Sequence, residues 1–144
     1  MKPVIGAEVV LEGLGDDASV VSKVILLVQN RQGYLNLCEL LARGWTQNAG
    51  RAQAVCRAAW LRELGEGLIL LSGAQAGPVG QALVQGDESR AAALALQLAG
   101  WFPHRFYLEL QRAGRRRRRR HHRDAQIAHA AAAPQRHRRR GRVN

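Results

Sequence analysis

The sequence predicts an α/β domain with a largely parallel sheet, followed by a disordered basic tail. Two observations predict the domain: apolar runs without polar alternation, such as VILLV at residues 24–28, and helical patterns between those runs. One observation predicts the tail: from residue 112 the composition changes to Arg, His and Ala, without apolar periodicity. We therefore divide the chain into residues 1–114 and residues 115–144.

Four strands are predicted in the first part of the chain. The β-branched residues of KPVIGAEVVL predict a strand over residues 2–11, and a loop containing Gly and Asp follows over residues 12–22. The apolar run at residues 24–28 is typical of a strand buried on both faces, as in a parallel sheet. GLILLSG at residues 67–73 and RFYLEL at residues 105–110 predict the other two strands.

Four helices are predicted between these strands. Spacings of three and four residues place five side chains on one apolar face of a helix over residues 31–45: Tyr34, Leu37, Cys38, Leu41 and Trp45. RAAWLREL predicts a short helix over residues 57–64, and no element is predicted in the polar stretch before it. Pro78 can begin the third helix, and Asp87 can cap the fourth, over residues 89–102.

The positive charge of the chain is confined to its C-terminal part. Residues 112–144 hold 13 arginines and one acid, whereas residues 1–111 hold nine basic and ten acidic residues, which gives the net charge of +11. Cys38 and Cys56 lack a CxxC partner, as expected in a reducing compartment. With no apolar run near the roughly 20 residues of a membrane span and acidic residues early in the chain, we expect a cytoplasmic protein without a membrane partner.

Four sequence blocks resemble a known family. KPVIGAE, LLVQNRQGYLNLCELLARGW, EGLILLSGAQAGPVGQALVQGD and FPHRFYLELQRAGR follow one another in this chain. They are similar to part of the N-terminal PHP (polymerase and histidinol phosphatase) domain of bacterial DNA polymerase III alpha subunits. The resemblance covers nearly all of residues 1–114 in the same order, and it implies a partial, distorted seven-stranded βα barrel.

The resemblance also implies an activity for the parent protein. Whole family members extend DNA with Mg²⁺ and assemble with DNA, a proofreading exonuclease subunit and other replicase subunits. Family members carry His-x-His and Thr-Asp-His motifs upstream of KPVIGAE and a polymerase palm far downstream, and this chain contains none of these. We therefore expect this chain to be inactive alone and to hold no cofactor of its own.

Glu8 is the candidate metal ligand that the resemblance implies, because it aligns with an acidic residue that helps to hold a polynuclear metal site. However, Ser22 and Lys23 stand where some members have His, and Ala74 stands where some have Cys. A lysine cation does not share a metal site readily, so a structural or solvated carboxylate is favoured at Glu8. Glu109 is a second candidate ligand, for which a salt bridge or a solvent-facing position is favoured.

Three glycines follow the third predicted strand in GAQAGPVG, namely Gly73, Gly77 and Gly80. Their spacing is neither GxGxxG nor a P-loop. A helix N-terminus can bind phosphate, but turn geometry accounts for these glycines without a ligand.

The arginine run is a candidate nucleic-acid-binding site, formed by Arg115, Arg116, Arg117, Arg118, Arg119 and Arg120. Such a run binds phosphates by charge alone, without specificity and with a steep dependence on salt. Residues 115–144 contain no aromatic residue on which bases could stack. The alternative function is therefore a small, basic, non-specific nucleic-acid-binding protein, and a stand-alone metal-dependent phosphoesterase is a third hypothesis.

The origin of the arginine run is open. Repeated arginine codons of the CGN type, read one base later, encode Ala, Asp, Gly or Val. Family members often continue after RAGR with an acidic, helix-forming segment. We hypothesise that residues 115–144 are an out-of-frame reading of a GC-rich gene.

Overall fold

The computed structural model of the chain describes residues 3–15, 20–47 and 53–111. It contains five strands: β1 (Gly6–Glu12), β2 (Val21–Val28), β3 (Val55–Arg57), β4 (Leu68–Leu71) and β5 (Phe106–Tyr107). Its four α-helices are α1 (Arg31–Thr46), α2 (Ala58–Glu63), α3 (Pro78–Gln85) and α4 (Glu88–Trp101). Every predicted strand and helix is confirmed within a few residues, and β3 was not predicted because three residues are too few to show a pattern.

The five strands form one mixed sheet in the order β3-β1-β2-β4-β5. The prediction of a largely parallel sheet was wrong, because the central strand β2 runs antiparallel to both β1 and β4. Only eight residues separate the end of β1 from the start of β2, and parallel neighbours need a crossover connection of about a dozen or more. The outer strands β3 and β5 do pair in parallel, with β1 and β4 respectively.

The helices cover one face of the sheet. The alternating side chains of that face, including Val9, Leu11, Val24, Leu26 and Leu70, are buried in one cluster with residues of all four helices. Burying these apolar side chains is the main source of the stability of the domain.

The opposite face of the sheet is covered in part. Ile25, Leu27 and Leu71 are half-buried there, and Tyr107 is 54% exposed. The prediction that β2 is buried on both faces was therefore wrong. In the described residues the sheet is open, with β3 and β5 as its edges, so the closed seven-stranded barrel is not confirmed. The predicted disordered tail, residues 115–144, lies outside the described residues.

Local sequence signals fix the helix ends. Asp87 caps α4 as predicted, because its Oδ1 accepts a hydrogen bond of 2.9 Å from the backbone N–H of Arg90. Pro78 occupies the first turn of α3, also as predicted. Asn30 caps α1 by accepting from the N–H of Gly33 at 2.9 Å.

The predicted apolar face of α1 was only partly correct. Leu37 is buried and Leu41 is half-buried, whereas Tyr34, Cys38 and Trp45 are exposed. The side of α1 that packs on the sheet is instead formed by a mixture of small, polar and apolar residues, namely Gly33, Asn36, Leu37, Leu40 and Gly44. A pattern of apolar residues alone does not reveal that glycines and an asparagine allow a closer contact than aromatic rings do.

Candidate functional site

A cleft of about 360 Å³ opens on the partly covered face of the sheet. Strands β1 and β2 form its floor, and the turn after β4 and the segment after β5 form its walls. It is lined by Glu8, Lys23, Ile25, Gly73, Gln75, Ala76, Glu109 and Gln111. The structure thus brings together both candidate carboxylates that the sequence indicated.

Glu8 forms an ion pair with Lys23 on the floor of the cleft. Glu8 lies opposite Ile25, and Lys23 lies opposite Val10, so the two charged side chains are diagonal neighbours on one face. The Nζ atom of Lys23 is 2.6 Å from Oε1 of Glu8. Because both side chains are about half exposed, the pair stabilises the fold by about 1 kcal/mol at most.

Glu109 lies in the wall of the cleft, two residues beyond Tyr107 on β5. Its Oε1 accepts a hydrogen bond of 2.7 Å from Nε2 of Gln111, and its Oε2 is buried without a hydrogen-bond partner in the part of the chain that is described. Its backbone N–H donates to the hydroxyl of buried Ser72 at 2.9 Å, which fixes the segment after β5 to the end of β4. The sequence favoured a salt bridge or a solvent-facing position for Glu109. Within the described residues it forms no salt bridge, and its side chain is half-buried.

The three glycines of GAQAGPVG shape the turn beside the cleft. Gly73 has a φ of 71°, and a Cβ at this residue would collide with the backbone oxygen of Lys23. A Cβ at Gly77 or Gly80 would likewise collide with the backbone oxygens of Ser72 and Ala74. The structural interpretation of these glycines is confirmed, because each is required for close backbone packing.

The donor set of the cleft does not fit a polynuclear metal site. Such a site needs several neutral nitrogen and anionic oxygen ligands that converge. The cleft offers two carboxylates and two glutamine amides, and the ammonium group of Lys23 already contacts Glu8. The described residues contain no group of three or more His, Cys, Asp or Glu side chains that could hold a metal. The role of Glu8 as a metal ligand stays a prediction.

Lys23 is a site residue whose position the sequence did not separate from that of its neighbour Ser22. The alternation of β2 places these two residues on opposite faces of the sheet: Ser22 is buried against the core, and Lys23 points into the cleft. Gln75 and Gln111 carried no sequence signal. The six arginines of the predicted nucleic-acid site, residues 115–120, lie outside the described residues.

Comparison with known proteins identifies the family. The sequence profile of the PHP domain matches residues 1–113. The alpha subunit of DNA polymerase III from Pseudomonas aeruginosa is 38% identical over 133 residues, which are 92% of this chain and 11% of that protein. The subunit from Neisseria meningitidis serogroup A is 43% identical over 119 residues, and that from Escherichia coli K12 is 37% identical over 117 residues. These two matches cover 81% and 80% of this chain and 10% of each relative.

This chain spans about a tenth of the length of the relatives, and the P. aeruginosa match extends past residue 113, where the profile match ends. Among the described helices, none has the length and apolar character of a membrane span. The matches confirm the resemblance predicted from the four sequence blocks, and the chain belongs to the PHP domain family.

Proposed function

We propose that this chain corresponds to part of the PHP domain of a bacterial replicative polymerase subunit. The parent activity would be DNA-directed DNA synthesis with Mg²⁺, in the cytoplasm, together with DNA, a proofreading exonuclease subunit and other replicase subunits. The support is the order of the four sequence blocks and identities of 37 to 43% to DNA polymerase III alpha subunits. The chain itself would act as a scaffold and would catalyse no reaction alone.

The main support for the scaffold role is the ion pair between Lys23 and Glu8 in the cleft. Lys23 contributes a fixed positive charge in contact with Glu8, where a hydrolytic PHP site would need a metal ion. An ammonium group supplies no lone pair for coordination and repels a second cation. We infer that the pair holds β1 and β2 in position and that the cleft performs no phosphoester hydrolysis.

Two measurements on the purified chain test the proposal that the cleft is inactive: metal binding and phosphoester hydrolysis. We expect no saturable binding of Mn²⁺ at micromolar concentrations by titration calorimetry, and no hydrolysis of p-nitrophenyl phosphate above that of the Glu8→Gln variant. Lys23→Arg, which keeps the positive charge, should behave in the same way. Tight Mn²⁺ binding that Glu8→Gln abolishes would contradict the proposal and would favour the stand-alone phosphoesterase.

A chimera tests the scaffold role separately. Residues 1–113 replace the matching segment of the P. aeruginosa alpha subunit, and primer extension with deoxynucleoside triphosphates and Mg²⁺ is measured. If the segment is a PHP scaffold, the chimera should fold and extend primers. A chimera that gives a cooperative thermal unfolding transition but no extension would count against the proposal.

A second candidate function rests on the six consecutive arginines. The chain would then bind nucleic acid through its tail, with an affinity that falls with salt by a log–log slope of roughly −4 on single strands if six phosphates are contacted. Sequencing the gene across the codons for residues 114–120 separates the two candidates. If an adjacent reading frame encodes a continuation of the PHP domain, the arginines result from an out-of-frame reading. Closed adjacent frames would make nucleic-acid binding the leading function.

A further inference from the structure

Residues 103–111 run from the end of α4 along β4 to the cleft, and we call this segment the β5 strap. Its strand β5 is only two residues long and lies at an edge of the described sheet. No residue from 103 to 111 is fully buried. Phe106 and Leu108 are half-buried, whereas Tyr107 and Leu110 are 54 and 59% exposed. Segments with few buried contacts open at lower free energies than the core of a domain.

The guanidinium group of Arg105 attaches the beginning of the strap to the loop before β4. Its Nη1 atom donates to the backbone oxygens of Gly65 at 2.7 Å and of Leu68 at 2.8 Å. Its Cζ atom lies 5.5 Å from the ring centroid of Phe102, which is fully buried, and a Cβ at Gly65 would collide with this ring. Hydrogen bonds from a charged donor are stronger than neutral ones, so this one side chain contributes strongly to holding the strap.

Backbone hydrogen bonds join the strap to β4 along its length. The N–H of Leu70 donates to the backbone oxygen of Arg105 at 2.9 Å, and the N–H of Ser72 donates to that of Tyr107 at 3.0 Å. In the reverse direction, the N–H of Glu109 donates to the hydroxyl of Ser72 at 2.9 Å. We call these three N–H groups the boundary amides. They lose their partners together if the strap detaches as one unit.

The turn at the beginning of the strap is strained. His104 has a φ of 59°, in the left-handed region that residues other than glycine rarely adopt. A hydrogen bond of 3.0 Å from the N–H of Arg105 to the backbone oxygen of Phe102 closes this turn. Because the left-handed conformation costs free energy, the contacts of Arg105 hold the strap in place against a local strain.

We propose that the β5 strap opens as one unit while the rest of the domain stays folded, and that Arg105 is the residue that holds it closed. Opening removes Glu109 and Gln111 from the wall of the cleft. It also leaves β4 as the edge of the described sheet, with unpaired backbone groups that can pair with another chain. Through Arg105, the wall of the cleft is therefore coupled to the loop before β4.

Hydrogen exchange of single amides, measured by NMR on the full chain, tests the proposal. The boundary amides should share one free energy of opening, which lies below that of the amides in the central strands β1 and β2. Arg105→Met should accelerate exchange of the boundary amides by about tenfold or more, because both hydrogen bonds of the guanidinium group are lost. At the other end of the strap, Ser72→Ala should also accelerate exchange of the Leu70 amide, because the strap opens as one unit.

Two control variants separate opening of the strap from global unfolding. Val9→Ala lies in β1, which β2 and β4 separate from the strap, and Val9 stays buried when the strap opens. This variant should accelerate exchange in the central strands and leave the boundary amides unchanged. Arg43→Met, which removes the ion pair with Glu63 of α2, should also leave them unchanged.

Three results would each overturn the proposal. The first is exchange of the boundary amides at the free energy of the central strands, and the second is their acceleration by Val9→Ala. Either result would show that these amides exchange only when the whole domain unfolds. The third is unchanged exchange of the boundary amides in Arg105→Met, which would show that Arg105 does not hold the strap.

Discussion

Cys56 is a buried residue whose acid–base chemistry the fold changes. Its side chain is fully buried between β3 and α1, where Sγ is 3.4 Å from the backbone oxygen of Leu40. Burial disfavours the thiolate and raises the pKa of the Cys56 thiol to about 11, from an ordinary value of 9.0. The folded state therefore holds a proton that the unfolded chain releases between these two pH values.

A loss of stability at high pH follows from this pKa. Below pH 9 the thiol is protonated in both states, so its contribution to stability is fully present. From pH 9 to pH 11 the unfolded chain loses the proton first, and the free energy of unfolding falls by roughly 2 kcal/mol. Urea denaturation at several pH values measures the fall, and the Cys56→Ser variant, which does not titrate there, is the control. Parallel pH profiles for the two proteins would contradict the prediction.

Glu109 illustrates the cost of an unsatisfied oxygen. Its buried Oε2 lacks a hydrogen-bond partner in the described residues, and a buried polar atom without a partner costs free energy. We expect Glu109→Gln to leave stability unchanged or to raise it by about 1 kcal/mol, because the amide is neutral and can still accept from Gln111. Urea denaturation at pH 7 measures the difference. A loss of more than about 1 kcal/mol would show that the carboxylate makes a favourable interaction.

At the scale of elements, glycines determine how closely α1 approaches the sheet. A Cβ at Gly33 would collide with the backbone oxygen of Gly67 in the loop before β4. The same loop is held by Asn36, whose amide donates to the backbone oxygen of Glu66 at 2.9 Å. The N-terminal part of α1 thus lies so close to this loop that no side chain fits at Gly33.

Two glycine substitutions separate packing from helix propensity. Gly33→Ala should lower the free energy of unfolding by about 2 kcal/mol or more, because backbone atoms would have to move. Gly100→Ala on α4, where no atom lies within 4 Å of the new Cβ, should raise it by about 0.5 kcal/mol. Thermal unfolding of the two variants compares them directly. Equal effects of the two changes would refute the packing explanation.

At the scale of the whole molecule, the partly covered sheet face is the main liability. It exposes Val21 and Tyr107, and it leaves Ile25, Leu27 and Leu71 half-buried beside them. Apolar surface of this kind favours aggregation, as do the strands β3 and β5, which are the edges of the sheet in the part of the chain that is described. The charged Glu8–Lys23 pair interrupts this surface between Val21 and Ile25.

We therefore expect residues 1–114 alone to be poorly soluble or molten. Binding of the dye ANS should report the exposed sheet face, and Tyr107→Lys should reduce the dye fluorescence. Val84→Lys on α3, a site of similar exposure outside this face, should leave the fluorescence unchanged. A sharp two-state unfolding transition of residues 1–114 without dye binding would contradict the expectation.

The sequence by itself determined the number and type of nearly all elements, the start of α3 at Pro78, the cap of α4 at Asp87, and the family. These features depend on local patterns: the spacing of apolar residues, the conformational preferences of single residues, and blocks of residues in a fixed order. The placement of Glu8 in the candidate site also came from such a block. Each of these signals is complete within a short stretch of chain.

Only the tertiary structure decided the strand directions, the exposed side of α1 and the partners of the site residues. The apolar run of β2 fits parallel and antiparallel neighbours equally well, and pairing with β1 and β4 decides between them. Lys23 meets Glu8 because the antiparallel register makes them diagonal neighbours, and Glu109 joins them because β5 lies beside β4. These contacts join residues far apart in the chain, so they follow from packing and register and not from local pattern.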